Sequence, residues 1–519
     1  MSVPAWLAFL LPRRGARGAP AAPLDACAED ARRGARVDFD AGLAAYASQD
    51  YTTAIVRFKR VLESRHDDAD AHNNLGLSHL GLGHNEDALD AFVLATHFRP
   101  HFPGAFYNMA LAALHGGDFK QAVTSLEQAL ELDPEFVAAH STLGYVLTHL
   151  TGDFERGAAH IRRALAISPD DVDALCNYSA VLAQAGNAED AIGICLRLLT
   201  EHPSLHEARL NLSLARLKLG RFAEAWPDYE ARKLARGNYI PRALDLPEWR
   251  GEPLQNRKLL IYAEQGIGDQ IMFASCVPDV LDGGAACMLE CAPQLVPLFT
   301  RSFPLVTVVP QAQADAVLAR VAREFGVDYA VAVGSLPAHF RNDVTEFPGG
   351  TGYLRAAPAR VEFWSERLAA LGPGLKIGIS WSGGAPSTRG AERSTQLSAW
   401  TPILQQRGCH FVSLQYGEAG TQLPATLRGQ TATLHDWREA IDDYDETAAL
   451  VAALDLVITV QTALVHLAGA LGTPAWVMLR SGCEWRYGEH GETMPWYPRV
   501  RLLRQPRAGD WNPVIARVA

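Results

Sequence analysis

Residue type and spacing could support chemistry at a few places in this chain: two acidic turns, a cysteine pair and a His-bearing helix. Residues 258–263 read as a buried strand that runs into Glu264-Gln265-Gly266-Ile267-Gly268-Asp269 and then a helix start at 270–274. Strand, Gly-rich turn and helix together bring backbone N–H groups and a helix N-terminus towards a phosphate. By itself the pattern leaves Asp269 two roles, a chemical one or a helix cap. Asp443-Tyr444-Asp445 has the spacing of a metal-binding DxD, but it stands just before a helix and is read as N-terminal charge and capping. Cys287 and Cys291 are spaced CxxxC with no second Cys or His pair, so the eight cysteines are read as reduced thiols.

These residues need strands and turns to hold them. Further strands are read at 286–290, 306–309 and 329–333. A second block begins after Gly372-Pro373-Gly374. Its first strand ends in Trp381-Ser382-Gly383-Gly384, and another, at 410–414, ends in Gln415-Tyr416-Gly417. Strand 456–459 leads through Val460-Gln461-Thr462 into a helix at 463–471, with Ala463 at its start and His466 four residues after Thr462. A last strand is read at 475–479. The expected architecture is two Rossmann-like lobes, 258–371 and 372–519, behind an irregular connector at 233–257.

Upstream, the chain repeats itself. Asn74-Leu75-Gly76 with Ala88, Phe92, Ala95 and Pro100 returns 34 residues later as Asn108-Met109-Ala110 with Ala122, Leu126, Ala129 and Pro134. About six copies span 35–232, and the copy at Leu143-Gly144 needs one extra residue near Leu150. Small residues at two positions let paired helices approach closely, and large apolar residues fill the seam. The recurring anchors resemble the tetratricopeptide repeat, whose stacks curve into a concave groove. Position six carries Asn74, Asn108, Asn177 and Asn211. This ladder either hydrogen-bonds the backbone of an extended peptide or only solvates the groove. Enzymes that add GlcNAc to protein hydroxyls carry a similar ladder.

Gly266-Ile267-Gly268-Asp269 and the run Thr462–Ala470 resemble the two signatures of heptosyltransferase-type glycosyltransferases. Trp485-Arg486-Tyr487-Gly488 and Met494-Pro495-Trp496-Tyr497-Pro498 are similar to bacterial proteins that fuse this domain to tetratricopeptide repeats, some of which glycosylate flagellin. The resemblance implies a GT-B fold, with the acceptor on the first lobe and a nucleotide sugar on the second. It makes Asp269 the general base and places Gly266 and Gly268 at the donor. It also sets Trp381, Arg389, Arg393, Gln415, Tyr416, Gln461, Thr462 and Ala463 on the donor side, with phosphate stabilised by a helix N-terminus and cations. His466 either points at the donor or packs between helix and strand. Heptosyltransferases carry Asp where this chain has Gln461, which argues against ADP-heptose and leaves loss of activity open.

A net charge of −11 argues against a general nucleic-acid binder and against an anionic membrane surface. Residues 1–34, rich in Ala, Arg, Gly and Pro, read as a mobile leader without the order of a secretory signal. No stretch is long and apolar enough to span a bilayer. The expectation is a cytoplasmic, inverting glycosyltransferase needing no metal or cofactor, acting on Ser/Thr of a protein held in the groove, with flagellin as best guess. The alternatives are a binding scaffold with an inactive transferase domain, and a transferase for a glycan or lipid acceptor.

Overall fold

The computed structural model describes residues 26–235, 242–311, 314–350, 352–383, 390–417 and 434–519. Residues 1–25 of the expected leader, Tyr239-Ile240-Pro241, Gly384 and the donor candidate Arg389 lie outside the described residues, whereas 26–34, expected to belong to the mobile leader, are the start of the helix Ala26–Ala47. The chain divides into two compact units, Met1–Tyr178 and Ser179–Ala519.

The first unit is an α-helical solenoid. α1 (Ala26–Ala47) pairs with α2 (Tyr51–Ser64), α3 (Ala69–Gly81) with α4 (Asn85–Phe98), α5 (Pro103–Gly116) with α6 (Phe119–Leu132), and α7 (Val137–Val146) with α8 (Phe154–Ile167). Asp50 and Asp118 cap the helices that follow them, each accepting an N–H bond through its carboxylate. The small residues sit where helices nearly touch: a Cβ on Gly76 would meet the Phe92 ring at 2.6 Å, and one on Gly144 would meet Ile161 Cγ1 at 2.3 Å. The extra residue of the fourth copy is absorbed as a π-helical turn, Leu147–Thr151, ahead of Gly152 in the left-handed region.

The division falls within α9 (Val172–Ala185), and the second unit continues with α10 (Ala188–Glu201), α11 (His206–Lys218) and α12 (Phe222–Tyr229), the last followed by a 3₁₀ turn, Glu230–Lys233. The division therefore falls earlier than the boundary expected near Arg232. The physical reason is packing: Phe222, Trp226 and Tyr229 share one buried core with Val331, Leu464 and Tyr497 of the α/β part.

Two sheets follow. The first has the order β3-β2-β1-β4, all parallel, with β1 Lys258–Tyr262, β2 Ala286–Cys291, β3 Thr307–Pro310 and β4 Tyr329–Ala332. Glu248 of the connector adds a parallel bridge beside Ala330 on its edge. The second has the order β10-β11-β9-β8-β5-β6-β7. Its strands are β5 Leu375–Ser380, β6 Cys409–Ser413, β7 Leu434–His435, β8 Leu456–Val460, β9 Ala475–Leu479, β10 Thr493–Met494 and β11 Tyr497–Arg504. Only β10 and β11 pair antiparallel. In both sheets the order reverses beside the first strand, between β1 and β4 and between β5 and β8. At such reversals the loops leaving the strand ends diverge and open a crevice.

Candidate functional site

The loop leaving β1 and the helix α13 (Ile267–Phe273) present Asp269 in α13's first turn. Asp269 does not cap α13: Gly266 holds the N-cap position and offers no side chain. The Asp269 carboxylate instead accepts a bond from Arg486 Nη2 at 2.5 Å, with the two side chains 17% and 18% exposed. Burial opposes the charge on Arg486, but Asp269, Tyr487 and Glu484 outweigh it and raise the guanidinium pKa. Gly268 has to be glycine here, because a Cβ would lie 2.9 Å from His466 Cδ2 and 3.4 Å from Ala463 Cα. The glycine turn of the first sheet thus abuts the helix Ala463–Leu471 that follows β8 of the second.

Thr462 caps that helix by accepting the Leu464 N–H at 3.2 Å. Gly383, after β5, packs on it so closely that a Cβ would meet Thr462 Cγ2 at 2.1 Å. The Gln461 amide is buried and donates to Glu484 at 2.5 Å, and its backbone carbonyl accepts from Arg393 Nη1 at 3.2 Å. Burial alone would raise the Glu484 pKa, but Arg480, Arg393 and Arg486 around it hold it below the usual range. Arg480 in turn donates to Glu392 at 2.6 Å. Three arginines and the carboxylates of Asp269, Glu484 and Glu392 therefore converge where the two switch-point loops meet.

His466 is buried, and burial, aided by Arg486, depresses its pKa well below 6.5, so the imidazole is neutral. Its Nδ1 lies 3.2 Å from Tyr497 Oη, Tyr497 lies 3.3 Å from Tyr353 Oη, and Tyr353 donates to the Ile271 carbonyl at 2.7 Å. Proton accounting sets the tautomer. Tyr353 spends its proton on Ile271, so Tyr497 donates to Tyr353 and His466 Nδ1–H donates to Tyr497. The Nε2 lone pair is left on the side of Gly268. One nitrogen is thus locked in the packing against Tyr497, and the other faces the glycine turn.

The remaining donor candidates separate. Trp381 is buried in the core between the second sheet and the C-terminal helix. Gln415 is a clamp on the strand ends: its Oε1 accepts from Ser380, Trp381 and Ser382, and its Nε2 donates to Ser382 and Tyr416 carbonyls. That leaves its side chain nothing for a base or ribose. Tyr416 beside it is 48% exposed. Asp443 caps the helix Tyr444–Ala453 by accepting from Asp445 and Glu446 N–H groups, and Asp445 pairs with Arg301. Cys287 and Cys291 are buried free thiols whose pKa burial pushes up to about 12.

The asparagines of the ladder bond to other residues of the helical repeats. In the first unit, Asn74 donates to the Asp70 carbonyl at 2.7 Å, Asn108 to Asn73 Oδ1 at 2.9 Å and Asn177 to Ser141 Oγ at 3.0 Å. In the second, Asn211 donates to Ser179 Oγ at 3.1 Å. Three of the four thereby tie one helix to another, which accounts for a polar residue at position six without any bound peptide.

Arg480, Glu484 and Tyr497 had no role assigned from sequence. Arg486 and Tyr497 stood only within motifs marking a resemblance. Chemically, the assembled site offers a carboxylate for accepting a proton, a guanidinium beside it and a Thr-capped helix N-terminus, all suited to a polar or anionic group between the sheets.

Comparison with known proteins agrees with the repeats. A tetratricopeptide-repeat family model matches residues 107–172 and 151–206, and a TPR-repeat model matches residues 42–83. The N-terminal part is therefore a tetratricopeptide solenoid. Protein FlbA of Caulobacter vibrioides is 32% identical over 440 residues, covering 79% of this chain and 71% of that protein. A match of that length extends beyond the repeats into the α/β part. The peroxisomal targeting signal receptor of Candida albicans is 32% identical over 131 residues, 25% of this chain and 22% of the receptor. Protein O-mannosyl-transferase Tmtc3 of Drosophila melanogaster is 26% identical over 198 residues, 37% of this chain and 21% of that protein. Among the described residues no helix is long and apolar enough to cross a membrane.

Proposed function

We propose, from the geometry of the site and the motifs that resemble heptosyltransferase-type enzymes, that this chain, which belongs to the same family as Protein FlbA, is a glycosyltransferase. It moves a sugar from a nucleotide-sugar donor to Ser/Thr hydroxyls of a protein, with a GT-B arrangement of its two sheets. The observation that carries the reading is the Asp269–Arg486 pair where the two switch-point loops meet. The name of Tmtc3, a protein O-mannosyl-transferase, points to the same chemistry. Flagellin is the acceptor proposed first, because the motifs around Trp485 and Trp496 resemble those of bacterial repeat–transferase fusions, and the tetratricopeptide groove is proposed to hold it.

In this mechanism Asp269 takes the proton of the acceptor hydroxyl as its oxygen attacks the anomeric carbon. The bond from that carbon to the nucleotide phosphate breaks, and the phosphate leaves with the bonding pair towards Arg486 and the Thr462 end of its helix. A single displacement inverts the anomeric centre. No step needs a metal. Arg486 has to exchange its bond to Asp269 for one to the donor before the carboxylate is free to act.

The test is co-expression with flagellin in a cell that makes nucleotide sugars, read by intact mass. Wild-type chain adds increments of the mass of a glycosyl residue and Asp269→Asn adds none. Unmodified flagellin with the wild-type chain, together with no thermal shift from UDP, GDP, CMP, ADP or dTDP, removes the reading. Gln461 and Asp269, both engaged by neighbours, would then favour a binding scaffold.

A further inference from the structure

The last helical repeat reaches both sides of the Asp269–Arg486 pair. On one side, Arg232, in the 3₁₀ turn after α12, donates through Nη2 to Glu264 Oε1 at 2.7 Å and to Ser335 Oγ at 2.8 Å. Both side chains of that ion pair are 5% exposed. Glu264 also accepts the Gly334 N–H at 2.9 Å, and a Cβ on Gly334 would strike it at 2.2 Å. Glu264 follows β1, and Gly334 and Ser335 follow β4, so Arg232 ties together the two loops of the first sheet's switch point. Next to Glu264, Gln265 is held at φ +61°, the left-handed region, and donates to Tyr229 Oη at 3.2 Å. The next four residues are Gly266, Ile267, Gly268 and Asp269.

On the other side, the rings of Trp226 and Tyr229 meet Trp485 edge-on at 5.9 and 6.0 Å between centroids. Trp485 precedes Arg486. The Trp226 indole N–H donates to the Arg341 carbonyl at 2.7 Å, which anchors the helix to the first sheet's connections. One helix thus touches the residues leading into the carboxylate and the residue preceding the guanidinium.

We infer that the last repeat is a working part of the transfer site, with Tyr229 and Arg232 as positioning residues that hold the Glu264–Asp269 turn so that Asp269 faces Arg486. This rests on the glycosyltransferase reading. A non-Gly residue in the left-handed region relaxes unless neighbours over-determine it; here Tyr229 accepts from the Gln265 side chain, Gln270 donates to the Gln265 carbonyl, and Arg232 fixes the adjacent Glu264. A buried ion pair adds little net stability, but removing one partner leaves an uncompensated buried charge, so Arg232 and Glu264 hold the two loops together. A carboxylate that takes a proton in a transition state needs placement to within about half an ångström.

The test uses the full chain with Tyr229→Phe, Arg232→Lys and Arg232→Met. Amide hydrogen exchange is measured on the peptide spanning 264–271 and on control peptides from β6 and β9. Initial rates are measured with purified flagellin at varied concentration and the deproteinised, low-molecular-mass extract of the source cell as donor supply. Tyr229→Phe should speed exchange at 264–271 at least fivefold and leave the control peptides unchanged. It should lower the maximal rate about tenfold with the KM for flagellin within twofold. Arg232→Lys should keep a larger share of that rate than Arg232→Met. Unchanged exchange at the turn overturns the inference, and so does a uniform rise in exchange with an undiminished maximal rate. If wild-type chain transfers nothing, the proposed function fails, and the exchange data alone still decide whether these residues hold the turn.

Discussion

Asp269 and Arg486 are 217 positions apart in the chain and 2.5 Å apart in space, which explains what sequence reading could and could not reach. The carboxylate sits in a local pattern of strand, glycine turn and helix. The guanidinium has no local signature, because its role comes only from the folding of two sheets against each other. Gln415 is the opposite case: its place at a strand end suggested a ligand contact, and only three dimensions show its amide consumed by neighbours. Asp269→Asn keeps the shape and removes the base, so transfer should fall by about 10²–10⁴ while the thermal shift from the best-binding nucleotide persists. Arg486→Gln should act differently. It removes the cation proposed to meet the leaving phosphate, so the nucleotide shift should shrink together with transfer. A full nucleotide shift in Arg486→Gln would confine Arg486 to holding Asp269.

The repeats were legible at the scale of elements because each anchor answers to a distance. A period of 34, small residues at the helix crossings and an extra residue near Leu150 all follow from packing, and the extra residue emerges as the π-turn Leu147–Thr151. Gly144→Ala tests the crossing there. The added Cβ would lie 2.3 Å from Ile161 Cγ1 and 2.9 Å from the Gly157 carbonyl oxygen, which is backbone and yields little. Unfolding of the solenoid followed by far-UV circular dichroism should show a loss of about 1–3 kcal/mol. The asparagine ladder was legible as a pattern and its bonding was not. Asn108→Ala deletes the bond to Asn73 Oδ1, a buried acceptor, and should destabilise the same transition by about 1–2 kcal/mol without any peptide present. Loss of acceptor capture in that variant counts as groove recognition only at temperatures where its helicity equals wild type.

For the whole molecule, periodicity placed the end of the helical array near Arg232, while compactness places a division at Tyr178. The difference arises because sequence period reports how helices pair and not what their outer faces bury. Phe222, Trp226 and Tyr229 look like ordinary repeat residues until the α/β part covers them. The tryptophans make the two units separately observable: ten of the eleven lie between residues 226 and 511, so their fluorescence follows the second unit. His466 then supplies a pH test of that unit. Its folded pKa lies well below 6.5 through burial, and unfolding restores it to about 6.5. Between those values the unfolded chain binds a proton that the native state does not, so stability rises with pH up to about 6.5 and is lost on acidification. The slope from this one group is about 1.4 kcal/mol per pH unit. Glu230, held down to about 2 by Arg232 and Lys233 against its burial, titrates outside that range and loses its contribution only as pH falls from about 4.5 towards 2. Urea unfolding followed by tryptophan fluorescence at pH 7, 6 and 5 should therefore weaken steadily for the wild-type chain. His466→Gln should flatten the decline, and the residual slope belongs to His339 and His435, whose pKa values burial also depresses. An equal slope in His466→Gln would mean that this imidazole takes up its proton as readily in the folded chain as in the unfolded one, with Nδ1–H still donating to Tyr497 and Nε2 protonated as well.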